Sequence, residues 1–269
     1  MTAVLPTALA ALAAIAALSA ATWLASVWRR DTSLVDRMWP VFIATAAIVD
    51  AVQLGQGARA VWMAALVLAW ALRLCLFITL RNWGHGEDRR YQAIRARNQP
   101  HFAAKSLVLV FALQAVLAWI VAAPLLAASG SAASLNLLDG AGIALALFGI
   151  VFEAVGDWQM ARFRADPAHA GQVMDRGLWR YSRHPNYFGE ACVWWGVWLV
   201  AVAGAGVSAL WTVVSPLLMT VLLLKVSGVR LLEHDIGERR PAYRDYIERT
   251  PAFIPGRPRR PRRTTGNPA

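Results

Sequence analysis

The chain has 269 residues, 58% of them hydrophobic, with 13 Trp and a mean hydropathy of +0.44. That composition excludes an ordinary soluble domain and marks a polytopic membrane protein. The formal net charge of +11 raises the question of nucleic acid, but the charge is confined to segments between apolar runs, which argues against such a partner.

Runs near the roughly 20 residues needed to cross a bilayer predict seven transmembrane helices, at about 3–27, 39–54, 60–80, 106–128, 139–161, 187–206 and 208–228. The first has no basic flank before it, and Trp28-Arg29-Arg30 follow it. A cleaved signal peptide has the opposite polarity, so this run is expected to stay as a span. Gly204 and Gly206 mark a turn between the sixth and seventh spans, and Pro216 kinks the last. Of 27 Lys and Arg, 25 lie in 28–37, 81–105, 162–183 and 225–269; Arg59 stands alone in the alternate connections, and Arg73 lies inside the third span. This alternation is the positive-inside pattern, and it places the N-terminus outside and the C-terminus in the cytoplasm. The fold expected is all-α: one seven-helix domain over 1–256 and a disordered basic tail over 257–269. Cys75 and Cys192 both fall in spans, which argues against a disulfide framework.

The polar side chains gather in a few places. Asp36, Arg37 and Trp39 cluster where the second span begins, the pattern of a helix N-terminus in the interfacial belt. In RNWGHGEDRRYQAIR, residues 81–95, Glu87 and Tyr91 are four apart and would share a helix face. A carboxylate there can orient the phenol, and a phenol is a plausible proton donor to a carbonyl. Asp88, Arg89 and Arg90 read as surface ion pairs. Glu153 and Asp157 lie one turn apart in the fifth span, where acids are costly and mark function. They are candidates for ribose or amide contacts, or for pairing with Arg162 and Arg164.

LWRYSRHPNYFGE, residues 178–190, packs Arg180, Tyr181, Arg183, His184, Asn186, Tyr187 and Glu190 against the sixth span. Its arginines are forked donors suited to phosphate. Pro185 suits the first turn of a helix whose free N–H groups favour an anion. After the last span, Glu233, His234, Asp235, Tyr243 and Tyr246 could close over a ligand. Within the spans, Gln53 can bond a substrate carbonyl or a neighbouring helix, Gln114 is a further polar group, and Arg73 is expected to neutralise Asp50. HExxH, GxGxxG, Walker and GxSxG patterns are all missing, so no metal site is expected and any nucleotide must be held by the membrane fold itself.

LWRYSRHPNYFGE, the following Trp194-Trp195, the Glu233-His234-Asp235 run with Tyr243 and Tyr246, DRMWP at 36–40 and RNWGHGEDRRYQAIR together resemble the membrane steroid 5α-reductase family in its bacterial branch. A related R-H-P-x-Y pattern occurs in isoprenylcysteine and phospholipid methyltransferases, and a similar one in sterol C14 reductases. The resemblance implies an NADPH-dependent reductase of the conjugated C=C bond of a lipophilic enone, such as a 3-oxo-Δ4 steroid. Hydride goes to the β-carbon while a side chain polarises the ketone. The enone is expected among the first four spans and NADPH among the last three, in a monomer embedded in the lipid of a bacterial inner membrane.

On that resemblance, Tyr91 is the ketone hydrogen-bond donor, Gln53 its partner from the second span, and Glu87 the residue that orients it. Cofactor contacts are implied for Asp36, Arg37, Trp39, Asn82 and His85; for Asp157, Arg162 and Arg164; for Tyr181, Ser182, Arg183, His184, Asn186, Tyr187 and Glu190; and for Asp235 and Tyr246. The alternative is an S-adenosylmethionine-dependent methyltransferase of the isoprenylcysteine type, which would need fewer positive groups. A transporter is the third possibility, and it lacks the inverted repeat common in that class.

Overall fold

The computed structural model describes residues 3–226 and 242–259. Among these residues every regular element is helical. The main elements are α1 (Val4–Arg29), α2 (Leu34–Leu54), α3 (Gly57–Arg81), α4 (Arg89–Arg97), α5 (Phe102–Ser129), α6 (Leu137–Ala165), α7 (Pro185–Ala205), α8 (Val214–Val221) and α9 (Ala242–Arg249). Among the described residues five helical stretches are long and apolar enough to cross a membrane: α1, α3, α5, α6 and the 41-residue run Pro185–Lys225. That run takes in the expected sixth span and the expected seventh as far as Lys225. It is broken by a 3-10 segment over Gly206–Val213, entered through Gly206 at φ 59°, a left-handed conformation open to glycine at little cost. α2, the expected second span, has 21 residues with Asp36, Arg37 and Asp50 among them, and it is not one of the five.

The chain divides into two compact units, the first made of residues 1–147 and 193–218. Here α1 buries Thr7, Ala8, Ala11, Ile15, Ser19, Thr22 and Ser26, mostly small side chains at helical spacing that let backbones approach closely. The hydroxyls of Thr7 and Thr22 return to carbonyls four residues back, each at 2.8 Å, so their burial leaves no unmet donor. Ser19 Oγ donates to Phe111 O at 2.9 Å, and Trp119 Nε1 donates to Ala8 O at 2.9 Å, tying α1 to α5. Trp70 meets Trp194 edge to face with ring centres 5.2 Å apart, a favoured aromatic geometry.

One buried ion pair completes this unit. Arg59, near the start of α3, is 1% exposed and Asp139, near the start of α6, is 0% exposed. Arg59 Nε and Nη2 reach the two Asp139 oxygens at 2.8 and 2.7 Å, and the remaining N–H groups reach Ser131 Oγ and the carbonyls of Ala133 and Ser134. All five guanidinium donors are used, as a buried arginine requires.

The second unit consists of residues 148–192 and 219–269. Within it α6 and α7 approach at Gly189, where an added Cβ would lie 2.7 Å from Glu153 N and 2.8 Å from Gly149 O, so only glycine fits. Phe188 packs edge to face on Phe152 and on Phe253. Trp179 Nε1 donates to Gly156 O at 2.9 Å, and the Gln159 side chain accepts from Leu178 N at 2.9 Å. These bonds hold the 178–184 loop to α6.

Candidate functional site

Tyr91 is the centre of the first unit's polar site. α4 begins at Arg89 because Asp88 caps it, its carboxylate accepting from Arg90 N at 2.9 Å; such a cap satisfies a donor left over at a helix start. That start directs Tyr91, 6% exposed, toward α2 and α5. Its hydroxyl donates to Asp36 Oδ1 at 2.6 Å and accepts from Gln114 Nε2 at 3.3 Å. Arg90 Nη2 reaches the other Asp36 oxygen at 2.8 Å. Burial, reinforced by the Asp36 negative charge, pushes the phenol well above its ordinary value, so Tyr91 is a neutral O–H donor throughout the physiological range.

Two expected partners of Tyr91 are elsewhere. Glu87 precedes the helix cap, so the i, i+4 relation does not apply to it. Its carboxylate instead pairs with Arg95 at 2.7 Å and accepts from Thr32 N at 2.9 Å. Burial favours the neutral acid, but the Arg95 guanidinium and the Thr32 N–H outweigh it and hold Glu87 below the usual glutamate value. Gln53 is exposed at the far end of α2, about 26 Å along the helix from Asp36 at 1.5 Å per residue. The amide that meets Tyr91 comes from Gln114, and the acid from Asp36. Nearby, Arg37 reaches Asn82 O at 3.4 Å and Asp31 at 4.0 Å. Trp39 is half-buried, and His85 is exposed with its Nδ1 3.0 Å from Trp83 O.

In the second unit, Glu153 and Asp157 on α6 and His184 and Glu190 at the start of α7 are all buried, and Asn186 Nδ2 donates to Asp157 Oδ1 at 3.1 Å. His184 stacks on Tyr187 with ring centres 5.4 Å apart. Arg162 lies over the Trp158 ring, Arg164 is exposed, and Tyr181 is 44% exposed.

Three residues expected to contact a cofactor have hydrogen bonds to backbone. Arg183, 7% exposed, donates to Ile247 O at 2.9 Å and Thr250 O at 2.5 Å. Ser182 Oγ donates to Phe253 O at 2.8 Å, and Tyr246 OH to Trp179 O at 2.5 Å. They fasten the loop to the end of α9, whose last carbonyls lack helical partners and carry partial negative charge. Asp235, with Glu233 and His234, lies outside the described residues, as do positions 260–269 of the expected tail.

The phosphate-suited arginines of this unit lie a few residues away. Arg176, Arg180, Arg249 and Arg259, with Asp175, Thr250 and Pro258, line a cleft of about 490 Å³. Asp175 pairs with Arg249 at 3.2 Å, and Arg176, Arg180 and Arg259 are exposed. Among these, sequence reasoning singled out Arg180 alone. The others lie within basic segments whose charge follows the positive-inside pattern.

Membrane-length apolar helices with internally bonded polar sites define an integral membrane protein that is helical throughout its described residues. The chain belongs to the DUF1295 family, described as proteins of unknown function, whose model matches residues 22–250. That family includes steroid 5α-reductase-like proteins. An uncharacterized protein of Schizosaccharomyces pombe is 26% identical, over 87% of this chain and 75% of its own length. No solved structure matches the chain.

Proposed function

We propose that this protein is an NADPH-dependent reductase of the conjugated C=C bond of a lipophilic enone, a 3-oxo-Δ4 steroid being a suitable test compound. The observation that carries this reading is the buried, neutral Tyr91 phenol between Asp36 and Gln114. A phenol in a low-dielectric site, aimed by fixed partners, can bond an enone oxygen and take up charge as it develops there. In the resting arrangement Asp36 accepts the O–H; a substrate oxygen would take its place, leaving Asp36 paired with Arg90. Gln114 supplies a second N–H at the same position.

The second unit fits a phosphate-bearing cofactor through its donor set: the Arg176, Arg180, Arg249 and Arg259 cleft for phosphates, and buried Asp157 with Asn186 for ribose or amide groups. NADPH, when bound, supplies the hydride that the β-carbon receives, while the α-carbon takes a proton that reaches it from solvent. The full topology in this reading counts α2 and both halves of Pro185–Lys225, giving seven spans with the N-terminus outside and the C-terminus in the cytoplasm of a bacterial inner membrane. The density of cytoplasmic arginine there would attract a polyanionic cofactor.

The test is thermal unfolding of the purified protein with NADPH and with S-adenosylmethionine in parallel, followed by NADPH oxidation with progesterone. Stabilisation by NADPH and enone-dependent oxidation are expected. Stabilisation by the methyl donor alone would overturn the reductase reading in favour of a methyltransferase.

A further inference from the structure

α2 carries a second carboxyl, Asp50, that the reaction above does not use. It lies about 21 Å further along the helix than Asp36, and on nearly the same face, because the interval is just under four turns. Asp50 is 2% exposed, and its Oδ1 has no hydrogen-bond partner among the described residues. The expected pairing with Arg73 is therefore not made at that oxygen. A buried acceptor without a donor is destabilising, and within a membrane the solvent does not relieve it.

Asp50 lines a cavity of about 90 Å³ whose walls include Ala8 and Ala11 of α1, Ala46 of α2, Trp119 and Leu126 of α5, and Trp211. The Trp119 N–H is already committed to Ala8 O. The wall is otherwise built of alanine and other apolar side chains.

We infer that this cavity binds the hydroxyl end of a lipophilic alcohol, with the Asp50 carboxyl accepting its O–H and the alanines and tryptophans enclosing the adjoining carbons. The choice of hydroxyl follows from the donor count. An ammonium brings three N–H donors to a cavity whose polar group is a single carboxyl, and a ketone or ether brings none. A hydroxyl brings one. The volume admits the end of a chain and is too small for a phosphate-bearing headgroup. The site rests on Asp50 and its cavity alone, so it stands or falls independently of the reductase reading.

The full-length protein in lipid nanodiscs is unfolded thermally over a concentration series of 1-decanol and of its methyl ether, which keeps the alkyl body and lacks the donor. The concentration dependence of Tm converts to affinity. Wild type is expected to bind decanol about tenfold more tightly than the ether, the ratio that one net hydrogen bond provides. Asp50→Leu is expected to abolish the preference. Ala46→Leu, which fills the cavity and keeps the carboxyl, should abolish it by a separate route and covers the case where Asp50→Leu does not fold. Equal affinity of wild type for the two compounds overturns the site, as does a decanol preference that survives either substitution.

Discussion

Around Tyr91, side chains bond to one another: phenol to carboxylate, guanidinium to carboxylate, amide to phenol. Around Arg183, side chains of similar chemistry bond to main-chain carbonyls: guanidinium to Ile247 and Thr250, hydroxyl to Phe253, phenol to Trp179. A group bonded to another ionisable or amide side chain can exchange that partner for a substrate atom at modest cost, since the released partner keeps a second bond. A group that holds the chain's own carbonyls cannot leave them without loosening the fold. The two tyrosines make the contrast plain. Tyr91 is a candidate for chemistry, while Tyr246, buried to 1%, is a fastener.

The substitution with the largest expected effect probes the exchangeable network. Tyr91→Phe should lower enone turnover by a factor of about 100 or more, the range of a lost positioned proton donor, with NADPH affinity nearly unchanged in a binding titration. Turnover within a few-fold of wild type would remove Tyr91 from the reaction. Next comes the fastener: Arg183→Ala should cost about 2–4 kcal/mol of stability, the scale of two charge-assisted bonds to buried carbonyls, read as a lowered Tm. Its effect on NADPH affinity should be slight, and a collapse of affinity at unchanged Tm would erase the distinction drawn between the two regions.

A smaller effect is expected at the arginine cleft. Arg180→Ala should weaken NADPH binding about tenfold, the scale of one lost charge-assisted contact, with no change in Tm; unchanged affinity would take the phosphates out of that cleft. The smallest effect concerns Glu87. Its carboxyl is held below the ordinary value of 4.5, so its contribution is complete above that pH and is lost as pH falls through the lower, folded value. Stability of wild type should therefore drop on acidification by up to about 1 kcal/mol more than that of Glu87→Gln. Parallel pH profiles for the two proteins would mean that the Arg95 pair contributes nothing.

Much of the helical layout was readable from apolar runs. The runs predicted at 60–80, 106–128 and 139–161 lie within helices α3, α5 and α6, and the run at 3–27 coincides with α1 but for its first residue; each helix extends a few residues past its run. The extensions take in Arg29, Arg59, Arg81, Lys105, Arg162 and Arg164, because helices continue past their hydrophobic stretch until a cap stops them. The number of spans was less legible, since a 3-10 segment at Gly206 and three charges on α2 alter what length and composition alone support. At the site, Tyr91 itself was legible and its partners were not. The four-residue spacing from Glu87 requires a helix that starts two residues earlier than the real one; Asp88 is the cap, and it puts Glu87 outside. Asp36 and Gln114 are 55 and 23 residues from Tyr91, distances over which no local periodicity speaks. Residue type likewise does not reveal that Arg183 Nη1 donates to Ile247 O and Thr250 O, carbonyls of a distant segment.

The Arg59–Asp139 pair has a consequence for biogenesis. Its two halves are separated by 80 residues of chain, so when the start of α3 reaches the membrane its carboxylate partner has not yet been synthesised. Arg59 must pass that stage as an uncompensated cation, held near water or headgroups, and α3 cannot settle to its final depth until the start of α6 arrives. The pair is therefore a late latch. It ties the final seating of an early helix to the synthesis of a later one, and it withholds the finished packing of the first unit from any chain cut short before Asp139.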